Sequence, residues 1–150
     1  IFIKKLIKIT PEIKFDVYGV DQRQPIWSDD FKTKLLKSKM AINLSQGSSS
    51  KYYSSDRIAQ LMGNGVLTFI DKKTKLNYFF NNNEAIFYNS ITDLSKKIIF
   101  YNKNPYLRKK IAKKGRDKYH KSFNNILVVK FMLSKCFKYL YKNKKYLWEK

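Results

Sequence analysis

The sequence holds one cysteine, Cys136, so no internal disulfide can form, in keeping with a reducing compartment. It holds one histidine, His120, and no paired Cys or His spacing, so it shows no metal-ligand pattern. Arginine is scarce too: Arg23, Arg57, Arg108 and Arg116 are all there are. Acidic residues number 11 against 32 basic ones, a net charge of +21. Long apolar runs are missing. The opening "IFIKKLIKI" carries three lysines, is too short to span a bilayer and has no small-residue cleavage site. It reads as the end of a helix. The sequence starts at Ile1 rather than Met, so it is expected to be a fragment of a longer protein.

What is abundant is Lys, Asn, Ile, Phe and Tyr, the residues of AT-rich codons. The charge therefore has two readings. It is either compositional drift that also serves solubility, or the mark of a polyanionic partner. Base reading and phosphate clamping favour arginine forks over lysine, so nucleic acid is not the expected partner. An anionic membrane surface is the other candidate. With 150 residues and 43% hydrophobic content, one compact domain with its own core is expected.

Periodicity supplies the elements. "KFDVYG", 14–19, alternates and ends on glycine, which predicts a strand. Ser28 is expected to cap a helix with Asp29 and Asp30 in its first turn and Phe31, Leu35 and Leu36 inward. "MAINLS", 40–45, reads as a strand. A polar loop, 46–55, leads to a helix over 56–62 whose apolar side is Ile58, Leu61 and Met62, and Gly63 or Gly65 ends it. "VLTFI", 66–70, reads as a strand buried on both faces. Ala85 to Tyr88 is a short strand, and Ser90 with Asp93 forms a capping box for a helix striped by Ile91, Leu94, Ile98 and Tyr101. Asn104 and Pro105 open a helix with Leu107, Ile111 and Tyr119 as its spine. A last helix from about Ile126 has one apolar face, Val128, Val129, Met132, Leu133, Cys136, Phe137 and Leu140, opposite Lys130, Ser134, Lys138 and Lys142. The order alternates as an α/β fold: a parallel, Rossmann-like sheet with helices on both faces, ending in an amphipathic helix.

Ligands of such sheets lie outside the C-terminal strand ends. Three loops should gather there: "GVDQRQP", "SQGSSSKYYSS" and "DKKTK". The second enters a helix N-terminus, where free N–H groups and the helix dipole favour an anion. Ser45, Ser54, Ser55 and Arg57 are therefore candidates for a phosphate-bearing ligand, and Gln60, one turn on from Arg57, for a ribose hydroxyl or base edge. The plain alternative is that the serines only cap the helix and Arg57 is a solvated surface residue.

"SSDRIAQLMGNGVLTFID", continued through "NEAIFYNSITDLSKKIIFYNKNPYLRKKIAKKGRDKYHKSF", resembles the C-terminal half of GT-B glycosyltransferases. The closest group is the spore-protein CgeB-like, or glycosyl transferases group 1, proteins. These carry an Arg, a Glu three residues on, a run of small residues ending in Gly, and a buried strand. The resemblance covers roughly 14 to 132. It implies that residues 1–150 are a single nucleotide-sugar-binding Rossmann-like domain, with 126–150 as C-terminal helix and basic tail. It implies a glycosyltransferase whose acceptor half precedes this segment, using a nucleotide-sugar donor as substrate, no bound metal and no cofactor. The acceptor is unknown, a cell-envelope glycan being one expectation, and the setting is cytoplasmic or peripheral on the inner face of the membrane. Arg57 matches the family Arg. Gln60 stands where the family usually has Glu. The segment "KYY" replaces an earlier acid that touches the donor sugar. The catalytic residues are not identified, and His120 falls in a helix that resembles a packing element. A non-catalytic nucleotide-binding module of the same fold, or a basic peripheral protein of membrane or nucleic acid using "KCFKYLYKNKKYLWEK", is the alternative. That last stretch also suits a helix packing back across the other half.

Overall fold

The computed structural model describes residues 2–44, 50–54, 56–137 and 146–149. Along the chain come α1 (Phe2–Ile9), α2 (Ser28–Lys37), β1 (Met40–Asn43), α3 (Asp56–Gly63), β2 (Leu67–Asp71), two short 3-10 turns (Lys72–Thr74 and Leu76–Tyr78), β3 (Ile86–Tyr88), α4 (Ile91–Lys103), α5 (Pro105–Ser122) and α6 (Asn125–Cys136). The strands form one parallel sheet in the order β1-β2-β3. Met40 pairs with Leu67 and Asn43 with Ile70, while Phe69 pairs with Ile86 and Asp71 with Tyr88.

Alternation of side chains along the strands divides the core into two sides. Leu67, Phe69, Ile86 and Tyr88 meet Leu6 of α1, Leu94 and Ile98 of α4, and Ile111 of α5. On the other side Ile70 and Phe87 meet Ile58 and Met62 of α3 together with Leu76 and Phe80. The central strand β2 is buried from Leu67 through Ile70, as its unbroken apolar run predicts. This is the expected α/β, Rossmann-like layering.

The ends of α3 follow local rules. Gly65 takes φ +71°, its N–H donates to the Met62 carbonyl at 2.9 Å, and Val66 N–H donates to the Leu61 carbonyl at 3.0 Å. That is a Schellman stop, sealed by Val66 packing with Leu61. Of the two candidate glycines, Gly65 is the left-handed one. In α4 the Ser90 hydroxyl accepts from Asp93 N–H at 3.1 Å, and the Asp93 carboxylate accepts from Asn89 N–H at 3.0 Å. The box closes one residue before its usual place. Arg108 is buried and donates to the Tyr101 and Asn102 carbonyls at 2.9 and 3.3 Å, capping the end of α4 from the first turn of α5.

Three expectations change. Residues 14–18 make no ladder: burial alternates over 14–17, with Phe15 reaching the core, but the backbone pairs with no strand. Two apolar side chains, Phe15 and Val17, are too few to hold a register against β1. The chain then turns at Gly19, whose N–H donates to the Gln24 carbonyl at 3.3 Å. Ser28 is not the cap of α2. Trp27 occupies that position, its carbonyl accepting from Phe31 N–H at 3.3 Å, and Ser28 is the first helical residue; Leu36 faces solvent at 70% exposure. Finally, α6 is rotated from the expected orientation. Leu127, Lys130, Phe131 and Ser134 lie half-buried, whereas Ile126, Val129, Met132 and Cys136 are exposed. The reason is the 146–149 segment. Trp148 packs on Phe123 and Phe131, Tyr146 also meets Phe131, and Lys135 bonds Glu149 at 2.6 Å, so the Phe131 side is the one covered. Leu140, Lys138 and Lys142 lie outside the described residues.

Candidate functional site

The C-terminal ends of β1, β2 and β3 bring Asn43, Asp71 and Tyr88 to one edge of the sheet. Above it, the loop entering α3 is pinned to the loop leaving β2, because Tyr52 N–H donates to the Thr74 carbonyl at 2.7 Å. Asp71 holds the latter loop by accepting from Lys73 N–H at 2.9 Å.

Arg57 stands in the first turn of α3, with an exposed side chain. Its Nη1 donates to the Leu44 carbonyl, the first residue beyond β1. The guanidinium is thereby drawn back from the helix surface to the strand end, and its remaining N–H groups are available to an anion. Gln60 lies one helical turn on, exposed, on the side of Arg57 away from Ile58, Leu61 and Met62. Ser54 is exposed and lines the rim of a hollow described below. Ser45 and Ser55 lie outside the described residues. Ser54 thus precedes α3, and Arg57 and Gln60 lie on it. The loop "GVDQRQP" does not arrive through a strand of the sheet; its Asp21 pairs with Lys4 of α1 at 3.0 Å.

Two groups at this edge were not singled out from sequence. Asn43 is 3% exposed and its Oδ1 has no hydrogen-bond partner among the described residues, a costly state for a buried amide. By alternation it shares the face of Ala41, the side covered by α3. Tyr88 is buried beside Asp71, and burial first, then the Asp71 charge, pushes its hydroxyl up to about 12. The available signal was that each of them ends a strand. The surrounding loops carry Lys51, Lys72 and Lys73, all exposed, so with Arg57 the cations outnumber the carboxylates of Asp71 and of Asp56 in the first turn of α3.

His120 lies elsewhere. Its Nε2 meets the Gly63 carbonyl at 2.9 Å, which makes that nitrogen the donor and ties α5 to the end of α3. It is a packing contact, as the sequence suggested.

Two hollows flank the molecule. One, about 360 Å³, is walled by Phe79, Phe80, Tyr119, Phe123 and Trp148, with Ser54 at its rim. The other, about 470 Å³, is polar and lies between the turn before β3 and α5, at the opposite end of the strands from Arg57. Among the described residues, no group of three or more His, Cys, Asp or Glu side chains is placed to hold a metal ion. Among the same residues, no helix is long and apolar enough to cross a membrane.

A three-stranded parallel sheet flanked by helices defines a Rossmann-like α/β domain. The family comparison makes this more specific. The family model described as "Glycosyl transferase-like" matches residues 1–134, and the chain belongs to that family. No curated protein and no solved structure matches it. Membership points to glycosyl transfer, with a sugar donor and an acceptor as substrates in general terms.

Proposed function

We propose that this chain is the donor-binding half of a GT-B glycosyltransferase near the spore-protein CgeB-like group, taking a nucleotide sugar at the entry of α3. The observation that carries the reading is the anchoring of Arg57 on the Leu44 carbonyl, which fixes a guanidinium at the C-terminal edge of a parallel sheet. As the glycosidic bond breaks, the leaving nucleoside diphosphate gains negative charge. Arg57, the free N–H groups of the first turn of α3, and the nearby lysines would stabilise that charge. Gln60 would hold the ribose hydroxyls in place of the usual carboxylate, and Ser45, Ser54 and Ser55 would supply hydroxyls to the phosphates. The donor acts as substrate, with no further cofactor. The acceptor, in this reading a cell-envelope glycan, would be bound by another part of the protein, on the cytoplasmic side and peripheral to the membrane.

The test is thermal protection of the full-length protein by nucleoside diphosphates, compared between wild type and Arg57→Ala. Protection that Arg57→Ala removes supports the site; no protection by any nucleotide rejects it. Donor hydrolysis or transfer then separates an enzyme from a binding module of the same fold.

A further inference from the structure

The outward arc of α6 is an apolar feature that the candidate site leaves unexplained. Ile126, Val129 and Met132 are 61%, 51% and 58% exposed, and with Cys136 they recur at intervals of three and four, so they form one stripe along the helix. The opposite arc is held down by Trp148 and Tyr146, so the stripe faces away from the core. No carboxylate occurs between Lys118 and Trp148, a stretch that holds eight lysines.

We propose that this stripe docks the protein on an anionic lipid bilayer, with Ile126, Val129 and Met132 at the level of the acyl chains and the net positive charge of this lysine-rich stretch attracting the headgroups. A twelve-residue helix is about 18 Å long. One stripe along it offers on the order of a few hundred Å², less than the roughly 800 Å² per partner that a stable protein interface uses. An interfacial helix needs no such area. It combines shallow apolar insertion with attraction of basic side chains to anionic lipid, which supplies the rest of the affinity. Glu149, the carboxylate described beside α6, is paired with Lys135 at 2.6 Å, so it adds little repulsion to oppose this. The proposal does not depend on the nucleotide site: nucleotide protection reads that site alone, so the two can fail separately.

The experiment is co-sedimentation of the full-length protein with vesicles of phosphatidylcholine alone and of phosphatidylcholine with phosphatidylglycerol, at low and high salt. Binding is expected only with the anionic lipid, weakening as salt rises. Val129→Asp and Met132→Asp should each reduce it about tenfold while leaving the thermal midpoint unchanged, since both side chains already face water. Absence of binding to either vesicle overturns the proposal. So does salt-sensitive binding indifferent to both substitutions, which would leave only diffuse lysine attraction. A dimer in solution that Met132→Asp dissociates, without lipid binding, would show that a second copy covers the stripe, and would overturn it too.

Discussion

Gly115 of α5 lies directly against the backbone of Glu84, at the foot of β3. A Cβ at position 115 would stand 2.2 Å from the Glu84 carbonyl oxygen and 3.2 Å from the Met62 Cε. The helix can pass the strand ends this closely only because residue 115 has no side chain. Further along the same helix, Arg116 lies against Gly65 and His120 against Gly63.

Gly115→Ala should therefore destabilise the domain although alanine is the better helix former. Propensity would return at most about 1 kcal/mol. Displacing rigid backbone costs about 1–3 kcal/mol and forces α5 away from the sheet. A net loss of about 1 kcal/mol is expected, measured by urea unfolding. Gly63→Ala is the control: its nearest neighbour is the flexible His120 ring at 4.0 Å, and no positive φ is required. It should be neutral or slightly stabilising. Equal effects at the two positions would count against the close approach.

Arg108→Ala removes a buried guanidinium that holds two carbonyls at the end of α4. Both acceptors then lose their partner where water is scarce, which costs about 1–3 kcal/mol. Arg108→Lys should recover only part of this, because both bonds come from Nη1 and the lysine ammonium sits one atom closer to the backbone than that nitrogen. Chemical denaturation of the three proteins gives the order wild type, Lys, Ala.

The elements that were legible in the sequence are those whose cause is local. The helix at 56–63, its glycine stop, the buried strand after it, and the Ser90 and Pro105 starts all follow from a few adjacent residues. What escaped depends on distant partners. Residues 14–17 alternate correctly in burial, yet a ladder needs a neighbour the local pattern cannot reveal. α6 has apolar side chains on two arcs, and the one that turns inward is chosen by Trp148, seventeen residues from Phe131. At the site, the position of Arg57 was readable. Its anchor on Leu44 was not, because that contact spans thirteen residues across a loop.

Gln60 offers a direct test of how far the family pattern extends. If its side chain meets the ribose, Gln60→Glu restores a charged acceptor, and charge-assisted hydrogen bonds are roughly twice as strong as neutral ones. Nucleotide affinity should rise about fivefold in Gln60→Glu and fall by a similar factor in Gln60→Ala, read by calorimetric titration. Gln60 is exposed, so neither change should move the thermal midpoint of the free protein by more than about 1 °C. An affinity unaltered in both would remove Gln60 from the site.

Tyr88 sets the alkaline limit of stability. Burial first, and then Asp71, pushes its hydroxyl up to about 12 in the fold, against 10.0 for an ordinary tyrosine. Between these values the folded chain keeps a proton that the unfolded chain has released. The associated stability is therefore complete below pH 10 and is lost as the pH climbs toward 12. The thermal midpoint should fall across that window, and Tyr88→Phe should flatten the fall. A residual slope is expected, because burial also raises Tyr101 and Tyr119. Asp71→Asn keeps an oxygen for the Lys73 N–H and deletes only the charge, so it should flatten the curve less than Tyr88→Phe does. Circular dichroism melts taken from pH 8 to 12 measure all three, and a slope unchanged in Tyr88→Phe would remove Tyr88 as the cause.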